Sequence, residues 1–314
     1  MPLALPSAAI GRRLPGQPFL LVQRRPHTVG IMAVVVVCAL LVLLGLVAVL
    51  RWGGLAFQAP SGGDPAGHPP VGLVVRSYIW YVTVALVSGL GAGILAAGAG
   101  GRLVMRLLAV TSGPNAQGRI TEAEQVVGRI TADGTLGFVV FNGIPIGLLS
   151  AVLYLLLRRW LPAGRLGGFT LGALLLLVAG TRIDPLRANN ADFSIVGPAW
   201  LAVAAFVALG LLHGMVVAAL AGRYSRALPL LTRQARVLAA YSPLLLFVLL
   251  FPLLAAIPVI VLMGMVAVLV SQIPPLLAAW RDRRVAAAGR VALVAAGLVA
   301  LPGFTSALAD ILGL

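Results

Sequence analysis

The chain has 314 residues, 61% of them hydrophobic and only 10% charged, with a mean hydropathy of +1.06. Soluble domains carry roughly 25% charged residues, so a water-surrounded globule of this composition would lack the polar groups to cover itself, and lipid is the expected solvent. The formal charge of +15 comes from 23 basic residues, all arginine, against 8 acidic ones; because they stand between long apolar stretches, they point away from nucleic acid and toward anionic membrane lipid as the partner.

A helix rises ~1.5 Å per residue and the hydrocarbon core is ~30 Å thick, so ~20 apolar residues make one crossing. The first such run is 29–50. It follows a basic tail, residues 1–28, with Arg12, Arg13, Arg24 and Arg25 and no expected ordered structure. The run is longer than a signal-peptide core and no A-x-A site follows, so an uncleaved first span is expected, with Met32 as an alternative start. Cys38, the sole cysteine, lies within it, which excludes an internal disulfide.

Residues 51–70 read as a loop built on Pro60-Ser61-Gly62-Gly63-Asp64-Pro65. The second span is expected at 77–99, opening on an interfacial belt of Tyr78, Trp80 and Tyr81. Gly89, Gly93, Ala97 and Gly101 recur every four residues and form a small-residue packing seam. Arg102 and Arg106 follow one turn apart, placed to snorkel, to hold a lipid phosphate or to pair with a carboxylate.

The polar stretch 111–135 holds both glutamates. Thr121 and Glu124 fit a capping box, and Ala123, Val126, Val127 and Ile130 share one helical face. A short amphipathic interfacial helix near 122–130, starting at Glu122, is therefore expected. Gly118-Arg119-Ile120-Thr121 is echoed by Gly128-Arg129-Ile130-Thr131, too short to be an internal repeat, and Thr131 is placed to cap the third span.

That span is expected at 136–157. Its Asn142-Gly143-Ile144-Pro145 centre implies either a proline kink or a broken helix lining a polar site. Spans at 166–181 and 196–221 flank a polar loop containing Arg182, Asp184, Arg187, Asn189, Asn190 and Asp192. A basic linker, Arg223 to Arg236, leads to a nearly continuous apolar run that reads as spans at 239–256 and 258–280, or as one bent helix. The last span is 291–308. The expected fold is all-α: a polytopic transmembrane helix bundle of about eight spans, or seven with the bent helix. In that arrangement the arginines divide almost evenly between the two sides, so orientation leans only weakly, toward the 158–165, 223–236 and 281–290 linkers in the cytosol.

Ionisable groups inside spans are the best pointers to function, since burying charge in lipid is costly. His213 in the fifth span is the clearest, read as a histidine bonded across helices, or else as a proton relay or metal ligand. The other histidines, His27 and His68, lie outside the spans, so no metal site and no cofactor is expected. Asp184 and Asp192 could offer oxygen ligands, but Arg182 and Arg187 compete for them and favour an internally paired loop. No nucleophile-elbow, zincin, P-loop or C-x-x-C motif occurs. Ser88 with His213 has the look of an intramembrane serine–histidine pair, but position 86, where such proteases carry glycine, is Leu86.

Gly100-Gly101-Arg102-Leu103-Val104-Met105-Arg106, GRITEAEQVVGRIT (118–131), GTLGFVVF (134–141), RRWLP (158–162) and the 184–193 loop together resemble an uncharacterised family of multi-pass membrane proteins from high-GC Gram-positive bacteria. The resemblance covers roughly residues 77–222. It implies a multi-pass protein of the cell membrane and brings no assigned activity. The expected function is a non-enzymatic membrane component: a scaffold, a sensor or a lipid-interacting partner. The alternative is a small-solute or ion transporter with a mid-membrane site where Asn142–Pro145, His213 and the glycine seam meet.

Overall fold

The computed structural model describes residues 28–60, 70–122, 125–250, 256–271, 273 and 282–314. Among them the architecture is helical throughout. Helix α1 is Thr28–Trp52, α2 is Val71–Thr111, α3 is Ala132–Leu157, α4 is Arg165–Gly180 and α5 is Ala199–Ala227. The shorter α6 (Ala235–Ala240), α7 (Ser242–Leu250) and α8 (Ala256–Ser271) precede the long α9 (Arg283–Leu312). Five of these helices, α1, α2, α3, α5 and α9, are long and apolar enough to cross a membrane.

This differs from the expected eight spans. Helix α4 has 16 residues, α8 has 16 and α7 has 9. At ~1.5 Å per residue the longer two reach ~24 Å, short of the ~30 Å core, although α4 still runs from the Arg165 end of the bundle to the Asp184 end. The split of 239–280 falls partly outside the described residues, but its start has a visible cause. Tyr241 leaves the helical region at φ −96°, ψ 4°, and its hydroxyl donates to the Pro229 carbonyl at 2.8 Å. Pro243 then opens α7 from a first-turn position, where its missing N–H is not needed.

Helix α2 also runs past its expected end at residue 99. Nothing in the sequence breaks it before Ser112-Gly113-Pro114. There the Thr111 and Ser112 hydroxyls turn back onto the Leu107 and Leu108 carbonyls. Arg102 and Arg106, expected one turn apart beyond the end of the span, therefore sit inside the same helix. A π segment, Gly93–Gly98, interrupts α2, and a second one, Val139–Gly143, lies opposite it in α3. The second stands immediately before Pro145. Widening the turn there accommodates the proline ring, so α3 stays continuous rather than broken.

In lipid the hydrophobic effect does not drive helices together; close packing does. Two glycine contacts supply it. A Cβ on Gly93 would stand 2.6 Å from the Gly143 carbonyl, and one on Gly89 would stand 2.8 Å from the Leu148 Cα, so α2 and α3 touch backbone to backbone. Helices α4 and α5 meet in the same way: a Cβ on Gly172 would stand 2.6 Å from the Gly210 carbonyl, and one on Gly168 2.7 Å from the Met215 Cα. The core, from Trp80, Val84 and Ala92 of α2 to Val216–Ala221 of α5, sits between these two pairs, with Ala48 and Val49 of α1 closing it.

The expected helix near 122–130 is not formed. Ile120 and Val126 pair in an antiparallel bridge, with Gly118 N–H donating to the Val127 carbonyl (3.1 Å) and Val127 N–H to the Arg119 carbonyl (2.9 Å). Gly118 and Gly128 take φ values of +82° and +87°, which reverse the chain where a helix would need φ near −60°. The Gly-Arg-Ile-Thr echo is thus a repeated turn. Each glycine bends the chain, and each threonine hydroxyl then accepts a backbone N–H, Thr121 from Gln125 and Thr131 from Gly134. The second half of the expected capping box, Glu124, lies outside the described residues.

Candidate functional site

The buried face of α3 is Gly143, Gly147, Ser150, Ala151 and Tyr154, a helical stripe of small residues ended by one aromatic. On α5 the main buried stretch runs from His213 through Gly214, Val216 and Val217. Where the two stripes meet, His213 Nε2 lies 3.0 Å from the Ser150 hydroxyl, and both residues are buried, at 5% and 3% exposure. The other ring nitrogen, Nδ1, is buried without a hydrogen-bond partner among the described residues, and the ring lies beside the α2 backbone at Ala92. Three helices thus converge on one imidazole.

Ser88, whose pairing with His213 the leucine at position 86 argues against, is spent within its own helix, donating to the Val84 carbonyl at 2.6 Å. The sequence does not single out Ser150; its signal is a hydroxyl one turn from Gly147, in a span whose polarity at Asn142 draws attention instead. A serine–histidine pair is the beginning of a nucleophilic site. Acyl transfer also requires room for a substrate and donors aimed at the developing oxyanion. Here Gly147 is pressed against the Gly89 carbonyl and stands one turn from Ser150, and the surrounding backbone is helical. The contact between Ser150 and His213 links α3 to α5.

On α2, Gly89 and Gly93 meet α3. The π segment then inserts a residue, so Gly98 rather than Ala97 makes the next contact: a Cβ on Gly143 would stand 2.9 Å from the Gly98 Cα. Gly101 returns to the α3 side, against the Phe138 ring.

Arg102 is 8% exposed. Its Nε donates to the Thr135 hydroxyl at 3.3 Å, one Nη lies 3.8 Å from the Met105 sulfur, and its guanidinium lies 5.8 Å from the Phe138 ring centre. Arg106 is half-buried. Neither forms an ion pair with a carboxylate among the described residues. Asn142 is exposed on the outer surface of α3, turned away from the face that carries Ser150, so it does not share a site with His213.

The loop residues do come together. Glu122 pairs with Arg187 at 2.6 Å, and the Glu122 backbone N–H donates to Asp192 Oδ1 at 2.8 Å. Asp192 is held in place by the Asn190 side chain, which accepts its N–H at 2.8 Å. Asp184 lies alongside. Partial desolvation holds its carboxyl above the usual carboxylate range, opposed by Arg187 and reinforced by Glu122 and Asp192. The hairpin after α2 and the loop after α4 are thereby clasped over one end of the bundle. No group of three or more His, Cys, Asp or Glu side chains able to hold a metal ion occurs among the described residues.

The opposite end is aromatic and cationic. Arg158 stacks 4.1 Å from the Phe57 ring centre and donates to the Tyr81 hydroxyl, and Trp80 Nε1 donates to the Leu228 carbonyl at 2.8 Å. A pocket of about 240 Å³ lies here, beside Gln58, Trp80 and Ser225. A second, of about 490 Å³, lies between α4 and α9. Neither reaches Ser150 or His213. Comparisons with protein-family models, with curated proteins and with solved structures give no match.

Proposed function

We propose that this chain is a multi-pass protein of the plasma membrane that works as a non-enzymatic, lipid-interacting component, with the Arg158 end in the cytosol. The observation that carries the reading is the packed interior: the buried polar pair Ser150–His213 is consumed in joining helices, and neither of the two pockets described above opens onto it. A transporter needs a polar mid-membrane cavity, and the alternative of one at Asn142–Pro145 and His213 finds no support in residues that face different ways.

Orientation follows from the disposition of the arginines. Arg51, Arg158, Arg159, Arg165, Arg223, Arg226, Arg233 and Arg236 cluster at one end, together with Arg283 and Arg284 at the start of α9. At the other end the described loop arginines are Arg119, Arg129, Arg182 and Arg187. Arginine excess marks the cytoplasmic side. The near balance of the sequence count arose from the N-terminal tail and from Arg102 and Arg106, which the helix contains.

Two measurements test this. Single cysteines at Arg165, Arg233 and Asn189, placed in a Cys38→Ala chain in intact cells, are expected to react with an impermeant maleimide only at Asn189; labelling at Arg165 and Arg233 instead reverses the orientation. Proteoliposomes holding the purified chain are expected to pass protons and small ions no faster than empty vesicles, and a flux abolished by His213→Ala overturns the non-transport reading.

A further inference from the structure

The groove between α4 and α9 is closed at both ends and open along its length. At the arginine-rich end, Trp160 packs its indole on Gly289, and an Arg159 Nη donates to the Asp282 carbonyl at 2.9 Å. At the hairpin end, Ile311, Phe304 and Leu308 of α9 pack with Leu176 and Leu186. Between these anchors the helices part. A Cβ on Gly297 would find only Leu174 at 3.7 Å and Leu177 at 4.0 Å, in contrast to the backbone contacts at the other two glycine crossings. The space left is about 490 Å³, and its walls are apolar but for Trp160, Thr170 and Arg290.

A void of this size in hydrocarbon does not stay empty. Unfilled, it forfeits the dispersion contacts that hold helices together in lipid. It lacks the several polar partners that ordered water requires. Its length indicates what fills it. The lining on α9 runs from Arg290 to Leu301, ~16 Å of helix, about half the ~30 Å hydrocarbon core and so the depth of one leaflet. Its mouth indicates the headgroup. Arg290 is exposed at the interfacial end of the groove and makes no ion pair among the described residues, with Arg283 and Arg284 at the start of the same helix. Trp160 sits beside it, at the depth where interfacial aromatics lie.

We infer that the α4–α9 groove is a phospholipid site, holding one acyl chain of an anionic lipid from the arginine-side leaflet, with its phosphate on Arg290. The inference rests on the membrane reading and deepens its lipid-interacting part: it names the leaflet, the lipid charge and the residue that selects it.

The test is native mass spectrometry of the full chain, delipidated in detergent and then offered dioleoyl phosphatidylglycerol, dioleoyl phosphatidylcholine or inorganic phosphate. One phosphatidylglycerol per chain is expected, retained about tenfold over phosphatidylcholine, with no phosphate adduct. Arg290→Gln is expected to bring phosphatidylglycerol down to the phosphatidylcholine level. Gly297→Leu, which puts a side chain into the open space without touching backbone, is expected to remove the adduct for both lipids. Equal retention of the two lipids by the native chain, or adducts unchanged by both variants, overturns the proposal. So does a phosphate adduct that competes with phosphatidylglycerol. If Gly297→Leu fails to fold, the Arg290→Gln selectivity alone decides. Carbonate extraction run in parallel separates the two levels: a chain that stays with the membrane but selects no lipid loses the groove and keeps the membrane reading, while a chain released by carbonate loses both.

Discussion

Gly147 and Gly137 lie on the same helix, α3, and the structure assigns them opposite responses to the same added methyl group. A Cβ on Gly147 would stand 2.6 Å from both the Cα and the N of Gly93, and closer still to the Gly89 carbonyl. That is about 0.8 Å inside ordinary van der Waals contact, and the opposing atoms are helix backbone with no rotamer to yield. Helices α2 and α3 must separate, which weakens every contact along the crossing. Overpacking of this kind costs about 1–3 kcal/mol, and the gain in helix propensity from glycine to alanine returns at most about 1 kcal/mol. The expected net effect of Gly147→Ala is a loss of about 1–2 kcal/mol. At Gly137 nothing lies within 4 Å of the added carbon, so Gly137→Ala keeps only the propensity gain, about 0.5–1 kcal/mol. Thermal unfolding of the two purified variants in one detergent reads both signs in one experiment. If Gly147→Ala melts at or above the native chain, α2 and α3 are not in backbone contact at this crossing and the reasoning fails.

The Ser150–His213 clamp is open to a double-mutant cycle. Ser150→Ala and His213→Ala, measured singly and together, are expected to couple by about 0.6 kcal/mol, and by no more than about 1.7; additive effects would mean that the hydroxyl and imidazole do not interact. At the clasp over the hairpin end, Arg187→Ala is expected to speed hydrogen exchange of the 118–128 amides, as high salt would in the native chain, while the amides of Val216–Ala221 keep their protection. Equal acceleration in both regions would show that the clasp is not local.

Much of the bundle was legible because lipid demands long apolar runs, and the cores of α1, α3, α5 and α9 fall where the runs do. The errors have local causes. The pattern Ala123, Val126, Val127, Ile130 suits a helix, but Gly118 precedes it and Gly128 stands within it, both at positive φ, and turn chemistry prevailed over periodicity. The two-span reading of 239–280 falls partly outside the described residues; within them, the hydrogen bond from Tyr241 to Pro229, where α6 ends, is a tertiary contact that no hydropathy window contains. His213 was visible as the one ionisable group deep in a span. Its partner was not, because the choice between Ser88 and Ser150 depends on how α2, α3 and α5 rotate about their axes. Asn142 misled for the same reason: polarity in a span marks a residue, and only the helix phase shows which way it faces.

That phase is protected in α2. The turns of Gly93–Gly98 wind fewer degrees per residue, and the lag over the segment cancels the roughly 100° that one extra residue would add. Removing one residue there and restoring ordinary winding would therefore leave Gly89 on α3 and Arg102 on Thr135 and Phe138. The surplus works as an expansion joint: it takes up one residue of length without turning either half of the rod.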